Sequence, residues 1–268
     1  MLRIPVSRNI AGQLVFLGTG TSHGVPVIGC GCATCTSTDP RNQRTRCSVV
    51  LGLPGGNLLI DTPPDLRIQL VREKIGVAHA ILYTHEHADH LFGLDDSRIF
   101  ADYLGSDLPV YCSKEVEERI RASFSYAFDP AIRQGPGGGV PRLVFRRVTV
   151  DPLDLLGVTV TPVPVRHGLA ATLGYRIGNV AYCTDVKEFP PESMGMLQGL
   201  DVLILSCLRR RPHSTHLNLD EALEVVTRLA PRRTLFTHMC HEIEHETDSA
   251  ELPPNVAFAY DGLVVPLT

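Results

Sequence analysis

The eight residues from Tyr83 to His90, reading Tyr-Thr-His-Glu-His-Ala-Asp-His, put three imidazoles and an aspartate directly after an apolar run at 80–83. This is the strongest constraint in the chain, because so many ligating groups at a strand end are useful only if the fold brings them to an ion. In extended backbone, residues two apart point the same way, so His85 and His87 can grip one cation together. Asp89 and His90 then turn toward a second. A polar loop of surface histidines is the competing reading, and the H-x-H-x-D-H spacing is too specific to favour it.

The same arrangement recurs downstream. His167 follows an apolar run at 158–165, Asp185 one at 180–183, and His238 one at 234–236. Strand ends set side by side in a sheet would bring these residues into one cleft on a rigid scaffold. Further short β-rich runs lie at 14–17, 58–60 and 202–205, and helical patterns at 65–75 and 219–229, the second opened by Asn218 as N-cap. Sheets covered by helices follow, an α/β class.

At 268 residues, 44% of them hydrophobic, the chain can bury one substantial core, which predicts a single domain over 1–268. A formal charge of −4 and a pI near 6.2 leave no basic surplus for phosphate backbones or anionic membranes. Nucleic acid is therefore an unlikely partner, and a small anionic substrate suits the charge better. Gly18, Gly20 and Gly24 interrupt the first apolar stretch before it could serve as a signal segment, and no run reaches the ~20 apolar residues of a membrane span. The expectation is a soluble, cytoplasmic protein without membrane association.

The stretch 134–141, reading QGPGGGVP, predicts a mobile loop within about 123–141. Phe124, Tyr126 and Phe128 just before it fit either a lid over the site or packing beneath the loop. Eight cysteines are too sparse for a disulfide framework, yet Cys30, Cys32 and Cys35 crowd one glycine-bearing segment. Three thiolates there could face one soft cation with a fourth tetrahedral place left over, or stay reduced and inert. Cys47, Cys112, Cys183 and Cys207 sit in apolar contexts and read as packing residues.

Several segments together carry a resemblance: Gly18-Thr19-Gly20 with Gly24-Val25-Pro26, Gly29-Cys30-Gly31-Cys32 with Cys35, Asp61, His85 to His90, His167, Asp185, His216, and His238 with His241. Across nearly its whole length the chain resembles the metallo-β-lactamase superfamily, and within it the cyclic-phosphate phosphodiesterases of phosphonate metabolism, which act on phosphoribosyl 1,2-cyclic phosphate. The resemblance implies an αββα sandwich, two central mixed sheets flanked by helices. It implies two divalent ions, zinc or manganese, one held by His85, His87 and His167, the other by Asp89, His90 and His238, with Asp185 bridging. Asp89 is carried as a catalytic residue as well as a ligand. Asp61 would orient a ligand histidine, its alternative being the start of the Thr62-Pro63-Pro64 turn. His241 would complete a structural zinc knuckle with Cys30, Cys32 and Cys35, with Cys240 or His245 as substitutes. Thr21, Ser22 and His23 would border the active site, and a homodimer is a family-level expectation.

Two cations ~3.5 to 4 Å apart, with a carboxylate between them, lower the pKa of a shared water, and that hydroxide would attack a phosphodiester. The leaving alkoxide needs a proton, for which His216, or else His213, is the best supply; both could instead be surface residues before a helix. Arg209, Arg210 and Arg211 read as a solvated basic run rather than a substrate contact. Three rival functions share these motifs. A tRNA 3′-processing ribonuclease should carry a basic RNA-binding arm, which the sequence lacks. A thioester or lactam hydrolase suits Asp185 and His216 less well. A non-catalytic metal-binding protein of quinone-cofactor biosynthesis would lack part of the ligand set present here.

Overall fold

The computed structural model describes residues 5–133, 139–168 and 170–267. The central part of the expected glycine-rich loop, 134–138, lies outside the described residues.

Apolar runs without alternation make strands buried on both faces. In β1 (Gln13–Gly18), Leu14 and Phe16 turn to one side, Val15 and Leu17 to the other, and all four are buried. After it come β2 (Ser48–Leu53), β3 (Gly56–Ile60), β4 (Ala80–Leu82), β5 (Leu108–Cys112) and β6 (Leu143–Arg147). These form one sheet in the order β14-β1-β2-β3-β4-β5-β6, β14 being the last strand, Val264–Pro266. The second sheet holds β7 (Leu153–Leu155), β8 (Val158–His167), β9 (Ala170–Ile177), β10 (Val180–Cys183), β11 (Val202–Ser206), β12 (Arg233–Thr237) and β13 (Val256–Phe258), in the reverse order β13 to β7.

Between the sheets lies a core that includes Leu14, Phe16, Leu58, Ile60, Tyr175, Ile204 and Leu235. On the outer face of the first sheet pack α1 (Leu66–Glu73), α3 (Arg98–Leu104) and α4 (Lys114–Ser123), with the short α2 (Ala88–Leu91) and α5 (Pro130–Arg133) beside them. The second sheet is covered by α6 (Pro191–Met196) and α7 (Leu219–Leu229), and α8 (His245–Ser249) follows β12. This is the expected helix–sheet–sheet–helix sandwich. Asn218 caps α7 in a full capping box, accepting from the Glu221 N–H at 2.9 Å while Glu221 accepts from the Asn218 N–H at 3.0 Å.

Strand direction positions the site. β3 and β4 are parallel, as are β10, β11 and β12, and β8 shares the direction of β10 because each is antiparallel to β9. The C-terminal ends of β8, β10 and β12 therefore share one edge of the second sheet, and those of β3 and β4 one edge of the first.

One expectation needs correcting. The 123–133 part of the expected loop is helical: Ser125–Phe128 forms a 3-10 turn, and α5 opens at Pro130 with Asp129 accepting from the Ala131 N–H at 2.8 Å. Phe124 is buried in the outer core and Tyr126 and Phe128 pack against it, so these rings are packing rather than a lid. Gly18 and Gly20 precede a turn after β1 in which the Gly24 N–H, at φ 66°, donates to the Thr21 carbonyl at 2.8 Å. They allow close approach of a neighbouring segment, since a Cβ would lie 2.0 Å from the Arg46 carbonyl at Gly18 and 2.7 Å from that of Arg44 at Gly20. Among the described residues, no helix is long and apolar enough to cross a membrane.

Candidate active site

The segment after β4 carries His85, His87, Asp89 and His90, with Asp89 and His90 inside α2. His167 ends β8, Asp185 follows β10 and His238 follows β12. The fold gathers all seven side chains in two groups whose ligating atoms lie within 4.8 Å of one another, His85, His87, His167 and Asp185 in one, Asp89, His90 and His238 in the other. Asp185 stands between them. Its Oδ1 is 3.7 Å from His167 Nε2, and its Oδ2 is 3.1 Å from His90 Nε2 and 3.4 Å from His238 Nε2.

Asp61, Asp185 and His238 all have positive φ, 64°, 53° and 58°. Backbone strain of this kind at non-glycine residues collects where a side chain must be aimed. Each leaves its strand in the left-handed region and so turns into the gap between the sheets.

The outward nitrogens are held. His85 Nδ1 lies 2.9 Å from the Thr84 hydroxyl, His90 Nδ1 2.7 Å from Asp61 Oδ2, and His167 Nδ1 2.8 Å from the Thr215 carbonyl oxygen. The inward Nε2 atoms of His85, His90 and His238 are buried without a hydrogen bond among the described residues. Buried polar atoms seldom stay unpaired, and imidazoles fixed on one nitrogen and bare on the other, as in His85 and His90, are what a metal centre requires, while His238 is unpaired on both. The residues present therefore fit a pair of divalent ions.

Electrostatics agree for His85 and His167. Burial depresses the pKa of His85 and of His167, which keeps their lone pairs free. Burial works against the charge on His90 as well, but the carboxylates of Asp185, Asp89 and Asp61 overcome it and raise its pKa. For Asp185 burial favours the neutral form, and His238 and His90 outweigh it, holding the carboxylate well below its ordinary range. Asp61 is fully buried and also accepts from the Thr84 N–H at 2.9 Å and the Thr84 hydroxyl at 2.8 Å. It is built into the site rather than opening a turn.

His216 borders the cluster. Its ring stacks on His238 at 5.0 Å between centroids and lies 4.4 Å from His167, with Nδ1 3.8 Å from Asp185 Oδ1. It also comes within ligand reach of Asp185 and His238, so its place suits a proton donor or a further ligand. Burial pushes its pKa down to about 3, with His238 adding to the effect. His213 sits farther out, its ring 5.2 Å from that of His216.

Cys30, Cys32 and Cys35 surround His241, their Sγ atoms 3.3, 3.4 and 3.7 Å from its Nδ1. Cys240 is turned instead toward the Glu242 N–H, and His245 packs against Phe258 and Tyr260. Hydrogen bonds from the Cys35 N–H and the neighbouring thiols and imidazole lower the Cys32 pKa to about 6, so its thiolate form is available at neutral pH. Sequence reasoning missed Arg44. Fully buried, it donates to the carbonyls of Cys240 at 3.1 Å and Ile243 at 2.8 Å and to Asn42 Oδ1 at 2.9 Å, fixing the loop that carries both His238 and His241. No motif marks an arginine of this kind; only its burial does.

An αββα sandwich with a buried His/Asp cluster at one edge of both sheets is the metallo-β-lactamase fold, and that fold implies divalent metal binding. The chain belongs to the β-lactamase superfamily: the family model for the beta-lactamase superfamily domain matches residues 56–239. A crystal structure described as a new diphosphatase from the PhnP family is 41% identical, with a TM-score of 0.88 over 94% of this chain and 96% of that one. Zn(2+)-bound PqqB from Methylobacterium extorquens superposes with a TM-score of 0.74 over 95% of this chain and 100% of that one; at 19% identity this speaks to the fold alone. In sequence, an octanoyltransferase from Porphyromonas gingivalis is 35% identical over 255 residues, 94% of this chain and 51% of the relative. Coenzyme PQQ synthesis protein B from Methylobacterium radiotolerans is 28% identical over 168 residues, 57% of this chain and 52% of the relative. The chain thus spans about half the length of the curated relatives it matches.

Proposed function

We infer that the chain is a metal-dependent phosphodiesterase acting on a small phosphodiester, linear or cyclic. The observation that carries this reading is the Asp185 carboxylate set between two groups of imidazoles, with His216 at their rim. His85, His87 and His167 would hold one divalent ion, Asp89, His90 and His238 the other, zinc or manganese in each place, and Asp185 would touch both. When bound, such ions supply the charge that stabilises phosphoryl oxygens and activates water.

The chain's own residues do the rest. Asp61 and the Thr215 carbonyl fix the ring planes of His90 and His167. Burial disfavours the protonated form of His216, so as general acid it would take a proton from solvent within the substrate-bound site. That proton then passes from the imidazole to the departing alkoxide. Cys30, Cys32, Cys35 and His241 would hold a structural zinc that ties the segment after β1 to the segment after β12.

A second reading has a specific support. The 41% identical structure is described as a diphosphatase, and attack on a doubly substituted phosphorus is common to a phosphodiester and a diphosphate diester. The test is a panel of bis(4-nitrophenyl) phosphate, a cyclic nucleotide, a diphosphate diester, a lactam and an octanoyl thioester, run on protein of measured metal content. The thioester is included because of the Porphyromonas gingivalis relative. Turnover of the phosphate esters alone is expected. Two bound ions with no phosphoester hydrolysis, or preference for the thioester, would defeat the reading. His216→Ala should cut turnover of poor leaving groups about 10²-fold or more with metal content intact; loss of metal instead would make His216 a ligand.

A further inference from the structure

A carboxylate standing between two groups of imidazoles serves both only if its plane is fixed, so that each oxygen faces its own group. The last torsion of an aspartate is broad and roughly two-fold, so the side chain itself does not supply that fixity. The backbone around Asp185 is pinned. Its carbonyl accepts from the Thr172 hydroxyl at 3.4 Å, and the next N–H, that of Val186, donates to the Ser206 hydroxyl at 3.1 Å. With φ at 53°, these contacts aim the Cα–Cβ bond of Asp185. Neither of them reaches the carboxylate.

The Thr184 hydroxyl does, donating to Asp185 Oδ2 at 2.8 Å. Oδ2 is the oxygen that faces His90 and His238, at 3.1 and 3.4 Å, while Oδ1 is left to His167 and His216, at 3.7 and 3.8 Å. A carboxylate only accepts, so the single hydroxyl proton of Thr184 is spent there. Thr184 is fully buried, and as a β-branched residue it is stiff at χ1, so it can hold that direction.

Beside Thr184 lies Cys47, the residue before β2. Its Sγ is 3.8 Å from Thr184 Oγ1, 3.2 Å from the Tyr182 hydroxyl and 3.3 Å from Thr237 Oγ1. All four side chains are buried, none more than 2% exposed. Cys47 comes from the first sheet, the other three from β10, the residue after it and the end of β12. Thr184 and Thr237 directly precede Asp185 and His238. One thiol of the first sheet therefore meets both threonines that lead into cluster residues of the second. Cys47 is more than the packing residue expected from sequence, because an apolar group in its place would leave buried hydroxyls with one partner fewer.

We propose that Thr184 is a positioning residue for the Asp185 carboxylate, and that Cys47 holds Thr184 in place from the opposite sheet. The pair sets the plane of the carboxylate, and with it the division of its two oxygens between the two histidine groups. This rests on the two-ion part of the reading above and is independent of which ester is cleaved.

The experiment withdraws zinc from the purified zinc-loaded protein with a competing chelator and counts the zinc retained per chain. It compares the native chain with Thr184→Val, Thr184→Ser, Cys47→Ala and the double variant of Cys47→Ala with Thr184→Val, each checked by circular dichroism. Thr184→Val keeps the shape and removes the hydroxyl. It should lose about 10- to 100-fold in zinc affinity at the His/Asp cluster, with zinc at Cys30, Cys32, Cys35 and His241 held as in the native chain. Thr184→Ser keeps the donor and should bind as the native chain does. Cys47→Ala should lose less than Thr184→Val, and the double variant less than the product of the two single losses, because both act on one carboxylate through one contact. Zinc affinity indifferent to Thr184→Val, Thr184→Ser as weak as Thr184→Val, or an equal loss at the thiol site overturns Thr184 as a positioning residue. Losses that multiply in full overturn the part given to Cys47. If Thr184→Val does not fold, Thr184→Ala carries the same expectation. A native cluster that holds no zinc would remove the two-ion reading itself, whereas zinc bound there and indifferent to Thr184→Val removes only this proposal.

Discussion

Asp61 is fully buried, and burial raises its pKa, yet three donors converge on its two oxygens and hold the carboxylate ready to fix His90. Asp61→Asn keeps the shape and swaps one acceptor oxygen for a donor, so the His90 ring loses its orientation. The expected result is a loss of about 10- to 100-fold in metal affinity, read by titration with a competing chelator, with secondary structure unchanged by circular dichroism. The histidines and aspartates of the cluster are legible in sequence because metal ligation demands rare residue types at tight spacing. Thr215, which holds His167 through its carbonyl, leaves no such mark, because any residue supplies a carbonyl. In sequence His216 is preferred to His213 only through the family resemblance; the structure separates them by the 3.8 Å approach of His216 to Asp185, a distance between segments far apart in the chain.

Elements show the same division. The helix at 219–229 is visible in sequence because Asn218 and Glu221 close a capping box ahead of apolar residues spaced three and four apart. β2 goes unseen: its six residues are buried on both faces, and so short an apolar run carries no period. α4 is missed although Ser113 caps it, because of its ten residues only Val116 and Ile120 are buried. α8 depends on Glu244, whose carboxylate accepts from the Thr247 N–H at 2.8 Å, the Thr247 hydroxyl at 2.9 Å and Asn42 Nδ2 at 2.5 Å. The Thr247 N–H is the leading cause that lowers its pKa to about 2. A depressed carboxylate contributes stability that is present above its unfolded pKa of ~4.3 and is lost as pH falls toward about 2. Urea midpoints measured across that window should therefore fall more steeply in the native chain than in Glu244→Gln, and equal slopes would contradict the assignment.

At the scale of the molecule, the cluster straddles the sandwich. His85, His87, Asp89 and His90 come from the first sheet, His167, Asp185 and His238 from the second. Ions held there would pin one sheet to the other and stabilise only the folded chain, by about 2.7 kcal/mol for each site at a free metal concentration 100 times its Kd. Stripping metal with a chelator should lower Tm by several degrees and resupply should restore it; a Tm indifferent to metal would mean that the ligands do not meet around ions. By itself the sequence determined the α/β class, the strand ends that bear ligands and the residue types of both clusters, because hydrophobic period and ligand chemistry are local properties. Only tertiary structure decided that Asp185 lies between the two histidine groups and that His241 rather than Cys240 or His245 faces the three thiols. Those are relations between segments brought together by strand direction and by the packing of one sheet on the other, and no window along the chain contains them.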